Sequence, residues 1–95
     1  MLSLIPEDLK KLKQSDINKE VLRVGIIAEL DAISLYEQLA AISNDADIKK
    51  VFLEIAKEEK THAGEFQAML LRDDKEQQRE LDAGKKEVQK TTGKK

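Results

Sequence analysis

Along residues 48–69 the apolar positions recur in alternating steps of four and three. Ile48, Phe52 and Ile55 are followed in the same series by Glu59 and His62, then by Phe66 and Met69. This is the repeat of one helical face, and it runs unbroken. Upstream, Leu22, Ile26, Glu29, Ile33, Tyr36 and Ala40 keep the same steps and also carry a carboxylate. The pattern predicts two long helices, roughly 17–43 and 47–72. "SDIN" (15–18) offers capping residues for the first, and "SNDAD" (43–47) supplies both a turn and a cap for the second. Met69 is expected in the core.

The flanks are less patterned. Residues 1–16 are read as an N-terminal arm. In it "IPEDLKKLK" forms a short helix with Pro6 in its first turn, and Leu4, Ile5, Leu9 and Leu12 dock on another subunit. The polar segment 73–90 is read as a C-terminal helix, legible as far as Gly84. Its apolar content, Leu81, Ala83 and Val88, is thin, so it is expected to be partly exposed or docked on a neighbour. Residues 91–95 are read as a disordered tail. The predicted fold is a single all-α domain of 95 residues: an antiparallel two-helix hairpin (17–72) with an arm and a third helix, forming a four-helix bundle by dimerisation.

Folding the chain at Asn44 sets the two seams side by side. Position 29 lies fifteen residues before Asn44 and position 59 fifteen after, so Glu29 and Glu59 are level. The same count sets Ile33 opposite Ile55, Tyr36 opposite Phe52 and Leu22 opposite Phe66. His62 joins the layer because residues three apart are neighbours on a helix.

Composition narrows the chemistry of that layer. The chain has no cysteine, which excludes disulfides and thiolate metal sites and permits the cytoplasm. Charged residues make up 38% and aromatics 3%, a balance that favours helix over strand. Residues 28–66 hold nine acids and four bases, whereas the tail from Lys85 has five lysines against Glu87. A mildly acidic centre suits cations better than nucleic acid, and the basic tail reads as a solvated end. The N-terminus lacks the apolar core of a signal peptide, and no run approaches the ~20 apolar residues of a membrane span.

A buried carboxylate without a partner costs several kcal/mol, and two in one layer repel. No Lys or Arg lies in either seam. The group must be paired, protonated or bound to a metal, and a divalent ion would offset both penalties. A single histidine on an apolar face is more often a satisfied core residue; its shared height with two carboxylates favours the metal. One hairpin provides only two Glu and one His and leaves each seam half uncovered. A two-fold dimer answers both shortages. The doubled set, four Glu and two His, is that of ferritin-like di-iron bundles, with one Glu from each of two helices and Glu-x-x-His from each of the others.

"IIAELDAISLYEQLA" and "LEIAKEEKTHAGEF" resemble the ferritin-like superfamily, in particular the encapsulated ferritins, rubrerythrin-type half-ferritins carried inside encapsulin nanocompartments. The resemblance covers about residues 20–72. It implies a ferroxidase that oxidises Fe(II) with dioxygen at a di-iron centre shared by two subunits, for iron mineralisation and storage inside an encapsulin shell in the cytoplasm. It also implies an annular decamer of five dimers. Carried over by position, Glu29, Glu59 and His62 are iron ligands, Glu59 bridges the irons across the two-fold, and Tyr36 lies beside the centre. Asp31 fits one acidic position through which metal enters, but Ala28 stands where family members commonly carry another. Calcium, manganese or zinc could substitute for iron. The basic tail "KTTGKK" differs from the short apolar peptide by which cargo ferritins dock on the shell. Glu58, Lys60 and Glu65 are read as solvated surface or contacts between dimers. The competing reading is a non-catalytic helical oligomerisation module with a structural or adventitious metal.

Overall fold

The structure, a computed structural model, describes residues 11–95. The arm expected at Leu4, Ile5 and Leu9 therefore lies outside the described residues. Three helices follow in order, α1 (Gln14–Ile42), α2 (Ala46–Asp73) and α3 (Lys75–Thr92), with no strand among the described residues. With 29 and 28 residues, α1 and α2 are each about 42 Å long and pack against each other along that length.

α1 starts three residues before the expected boundary. Lys13 is its extended N-cap and provides no side-chain cap, while Asp16 falls in the first turn, where a negative charge suits the helix dipole. The turn at 43–45 is short and closely bonded. Asp45 Oδ1 accepts from the N–H groups of Asp47 (2.9 Å) and Ile48 (3.0 Å), capping α2. Ser43 Oγ accepts from the Asp45 N–H at 3.1 Å. Lys49 Nζ reaches back to the carbonyls of Ala40 (2.9 Å) and Ala41 (3.4 Å), near the end of a helix with no basic residue in its last turn.

The hairpin has the expected register. Tyr36 and Phe52 meet with ring centroids 5.8 Å apart. Phe66 lies one turn from its expected partner, with its ring against Gly25, where an added Cβ would sit 3.2 Å from Phe66 Cδ2. Only Ile33, Ala40, Ala56 and Leu70 are buried apolar residues among those described, and none is a large side chain fully removed from solvent. Ile48, Val51 and Met69 are each about half exposed. Met69 is thus not a core residue of the protomer, because it stands on the uncovered edge of α2. The radius of gyration is 16.7 Å, against about 13 Å for a compact domain of this size.

α3 begins one residue after α2, and Asp74 forms the joint. Its N–H closes α2 on the Leu70 carbonyl at 2.9 Å, and its Oδ1 accepts from the Gln77 N–H at 3.0 Å to open α3. Its Oδ2 accepts from Arg23 Nη2 at 2.9 Å, while Arg23 also pairs with Glu20. The helix carries on through Thr91 and Thr92, two residues expected in the tail, and ends at Gly93 in the left-handed region with φ 71°.

Two outcomes follow from these caps. Asp45→Ala is expected to lower stability by about 1 kcal/mol in urea unfolding. The Gln77 amide bond, then the charges of Lys19 and Arg23, hold the Asp74 carboxyl below its ordinary value, against the pull of burial. A depressed folded value means that the joint is intact above the ordinary carboxylate range of about 3.9 and is lost as pH falls through the lowered value. Hydrogen exchange in the first turns of α3 is therefore expected to be steady near neutrality and to quicken, relative to Asp74→Asn, only on acidification below about pH 4.

Candidate metal centre

Glu29 on α1 and Glu59 and His62 on α2 converge halfway along the hairpin. One donor atom from each lies within 4.8 Å of the others, and this is the group of three metal-type side chains that the described residues form. His62 Nδ1 is 3.7 Å from Glu29 Oε1 and 3.7 Å from Glu59 Oε2. These separations exceed a hydrogen bond. Donors about 2.1 Å from a shared ion lie roughly 3–3.5 Å apart, so the two His62 contacts need a contraction of a few tenths of an ångström, while the set as a whole spans up to 4.8 Å.

The three side chains differ in depth. Glu29 is 16% and Glu59 20% exposed, whereas His62 is 45% exposed on the open edge. Glu29 Oε2 is shielded from solvent and has no hydrogen-bond partner. An orphaned carboxylate oxygen costs at least about 1–3 kcal/mol. Among the described residues, the ion-pair neighbour of both carboxylates is His62 rather than a Lys or Arg. A cation at the centre would satisfy the orphan and quench the repulsion. Two carboxylates and one imidazole suit iron, manganese or zinc, and the absence of sulfur disfavours strictly thiophilic ions. With three protein donors, the set leaves positions open for a further ligand.

The other predicted residues fall outside this group. Tyr36 shares the α1 seam two turns from Glu29 and meets Phe52 in a tilted ring contact. Asp31 is exposed, and two residues from Glu29 it points away from the layer. Ala28 is exposed as well. Lys60 Nζ meets Glu37 Oε2 at 3.2 Å on the solvent-exposed side of the hairpin. Sequence reasoning missed the Arg23–Asp74 pair, which ties the third helix to the hairpin. The one local signal was the N-cap pattern of "DDKEQQ".

Comparison with known proteins agrees with this architecture. The rubrerythrin family model matches residues 20–94. A ferritin-like–encapsulin shell fusion protein of Pyrococcus furiosus is 55% identical over 74 residues, which are 78% of this chain and 21% of that protein. An encapsulin nanocompartment cargo protein of Myxococcus xanthus is 33% identical over 75 residues, which are 79% of this chain and 55% of that one. The chain thus spans about a fifth and just over half the length of these curated relatives. The crystal structure of an encapsulated ferritin domain from Pyrococcus furiosus superposes with a TM-score of 0.84 at 49% identity, covering 96% of this chain and 91% of that one.

Glu29→Gln separates the cost of the buried charge from the binding of an ion. It removes the charge from a shielded carboxylate whose Oε2 has no hydrogen-bond partner and is expected to raise the melting temperature of metal-free protein by several degrees, about 1 kcal/mol or more. Mn(II) is expected to raise the wild-type melting temperature and to leave the variant unmoved. A wild type indifferent to Mn(II) would count against an ion at this layer.

Proposed function

The chain belongs to the rubrerythrin family of ferritin-like proteins, and we propose that two copies share this layer and oxidise Fe(II) to Fe(III) with dioxygen. The observation that carries the reading is the orphaned Glu29 oxygen at the centre of a donor set that opens onto an apolar face. Ile48 and Val51 toward one end of the same α2 face and Met69 toward the other are exposed, and the half-covered Phe52, Ile55 and Phe66 continue the stripe between them. Burying this stripe on its symmetry mate gives a four-helix bundle and doubles the donors to four carboxylates and two imidazoles.

Charge balance describes what the residues do. Four carboxylates neutralise two Fe(II) ions, which enter as substrate. Glu29, the more shielded carboxylate, would hold iron within the cleft, and by family likeness Glu59 would be the carboxylate shared between the two ions. His62 binds as the neutral imidazole through one ring nitrogen. The two Fe(II) ions give one electron each to one dioxygen, which takes two protons from water and leaves as hydrogen peroxide, and each iron gains one positive charge that the carboxylates no longer balance. That excess favours hydroxide uptake and release of the ferric product. Tyr36 with Phe52 closes the layer on one side and keeps it dry.

Released Fe(III) needs a container. One relative is fused to an encapsulin shell and another is nanocompartment cargo, so this domain is assigned by likeness to the inside of such a shell in the cytoplasm, where the iron is mineralised. The dimer is the minimum functional unit, and family likeness favours a decameric ring. The hairpin of residues 17–72 supplies the bundle, and the arm and α3 are left for contacts around it.

The test adds Fe(II) in air and follows ferric absorbance and oxygen uptake for wild type, Glu29→Ala and His62→Ala. Both variants are expected to be slower by at least the order of 10–100-fold that loss of even an outer-sphere partner costs at a metal site. Equal rates in all three would leave only a helical oligomerisation module with an incidental metal.

A further inference from the structure

Helix interiors disfavour glycine, because it gives up the most backbone freedom on folding. The chain nevertheless places Gly25 well inside α1. No positive φ requires it, since among the glycines only Gly93 has one. Gly64 in α2 and Gly84 in α3 would each accept a Cβ into open space. Gly25 is different. A Cβ there would sit 3.2 Å from Cδ2, 3.3 Å from Cε2 and 3.5 Å from Cγ of Phe66. One side of the Phe66 ring therefore lies against the bare backbone of α1, closer than a side chain at this position would comfortably allow.

This contact stands beside the acidic layer. Gly25 precedes Glu29 by four residues on α1, and Phe66 follows His62 by four on α2. Residues four apart share a helical face and lie about 6 Å apart along the axis. Side chains on a helix lean toward its N-terminus, which directs the Phe66 ring toward His62. On the far side of the layer Phe52, seven residues before Glu59, meets Tyr36 with ring centroids 5.8 Å apart. The three donors are thus bracketed by ring against ring on one side and ring against backbone on the other.

Magnitudes decide what the glycine does. A methyl group at position 25 would oblige the ring or the helix to give by a few tenths of an ångström. The ring can shift along α2 toward His62, or the two helices can part. Either movement acts on donors that are already too far apart for a shared ion. His62 Nδ1 is 3.7 Å from Glu29 Oε1 and from Glu59 Oε2, and both contacts must close by an amount of the same size. A third response, an outward swing of the half-covered ring, would leave the donors where they are.

We propose that Gly25 is a positioning residue for the metal layer: its missing side chain seats the Phe66 ring and so sets how closely Glu29 approaches Glu59 and His62, and with that the size of divalent ion the layer prefers. The inference rests on the reading of this layer as a metal site. It concerns spacing alone, since neither Gly25 nor Phe66 offers a side-chain donor to an ion.

The test measures dissociation constants of the full chain for Mn(II) and for the smaller Zn(II). Gly25→Ala is expected to weaken Mn(II) by about tenfold, the lower end of what loss of a supporting partner costs at a metal site. Zn(II), which needs the donors closer, is expected to weaken more, with helical circular dichroism unchanged. Gly25→Ala/Phe66→Leu, which returns the space, is expected to regain most of the affinity and the wild-type preference between the two ions. Gly64→Ala, an equal gain in helix propensity in open space, is expected to raise the melting temperature and leave both constants alone. Wild-type constants in Gly25→Ala would overturn the role of Gly25 while leaving the metal layer standing. So would equal weakening of the two ions, or no recovery in the double variant. A wild type that binds neither ion would overturn the metal layer and this inference with it.

Discussion

A carboxylate oxygen that water cannot reach and no hydrogen bond satisfies sits in the middle of an otherwise apolar seam. Glu29 Oε2 is that atom, and the structure is arranged around it. A shielded polar atom left without a partner is among the few features that can cost a small domain a large share of its stability. Glu59 and His62 lie beside it, and among the described residues no Lys or Arg forms an ion pair with it, which is the ground for the proposal that this layer receives positive charge.

The same incompleteness appears in the packing. Two helices some 42 Å long meet along one line, and a hairpin alone cannot wrap both of its apolar stripes. The buried residues among those described are therefore small or few, namely Ile33, Ala40, Ala56 and Leu70, while Ile48, Val51 and Met69 stay half open along the same helix above and below the acidic layer. Hydrophobic and electrostatic deficits fall on one face, so a single event, closure on a symmetry mate around cations, relieves both. Neither term needs to be large, because each contributes only when the other is satisfied. In the proposed dimer, folding, assembly and ion binding are linked.

Much of this was legible in the residues because helical geometry is regular. A strict 4–3 spacing places Glu59 and His62 on the α2 seam, and the near-symmetric turn at Asn44 sets Glu29 level with them. The turn is symmetric because Ser43, Asp45 and Lys49 satisfy it within a few residues. What sequence reading missed depends on other physics. α1 starts at Gln14 without a side-chain cap, so a rule built on capping residues placed its start too late. α3 runs to Thr92 on the helix propensity of Lys, Glu and Gln rather than on an apolar stripe, which periodicity does not detect. The Arg23–Asp74 pair joins positions 51 residues apart and leaves no local trace beyond the cap pattern at Asp74. Met69 has the right spacing for a core residue, but spacing cannot say whether the surface that covers it belongs to the same chain.

The most direct test of a shared metal layer is an anomalous difference map at the iron edge from crystals soaked anaerobically in Fe(II). Two iron peaks are expected to straddle a two-fold axis, each bound by Glu29, Glu59 and His62, with Glu59 reaching both. Iron bound within one hairpin alone, or His62 turned to bulk solvent in the assembled particle, would contradict it.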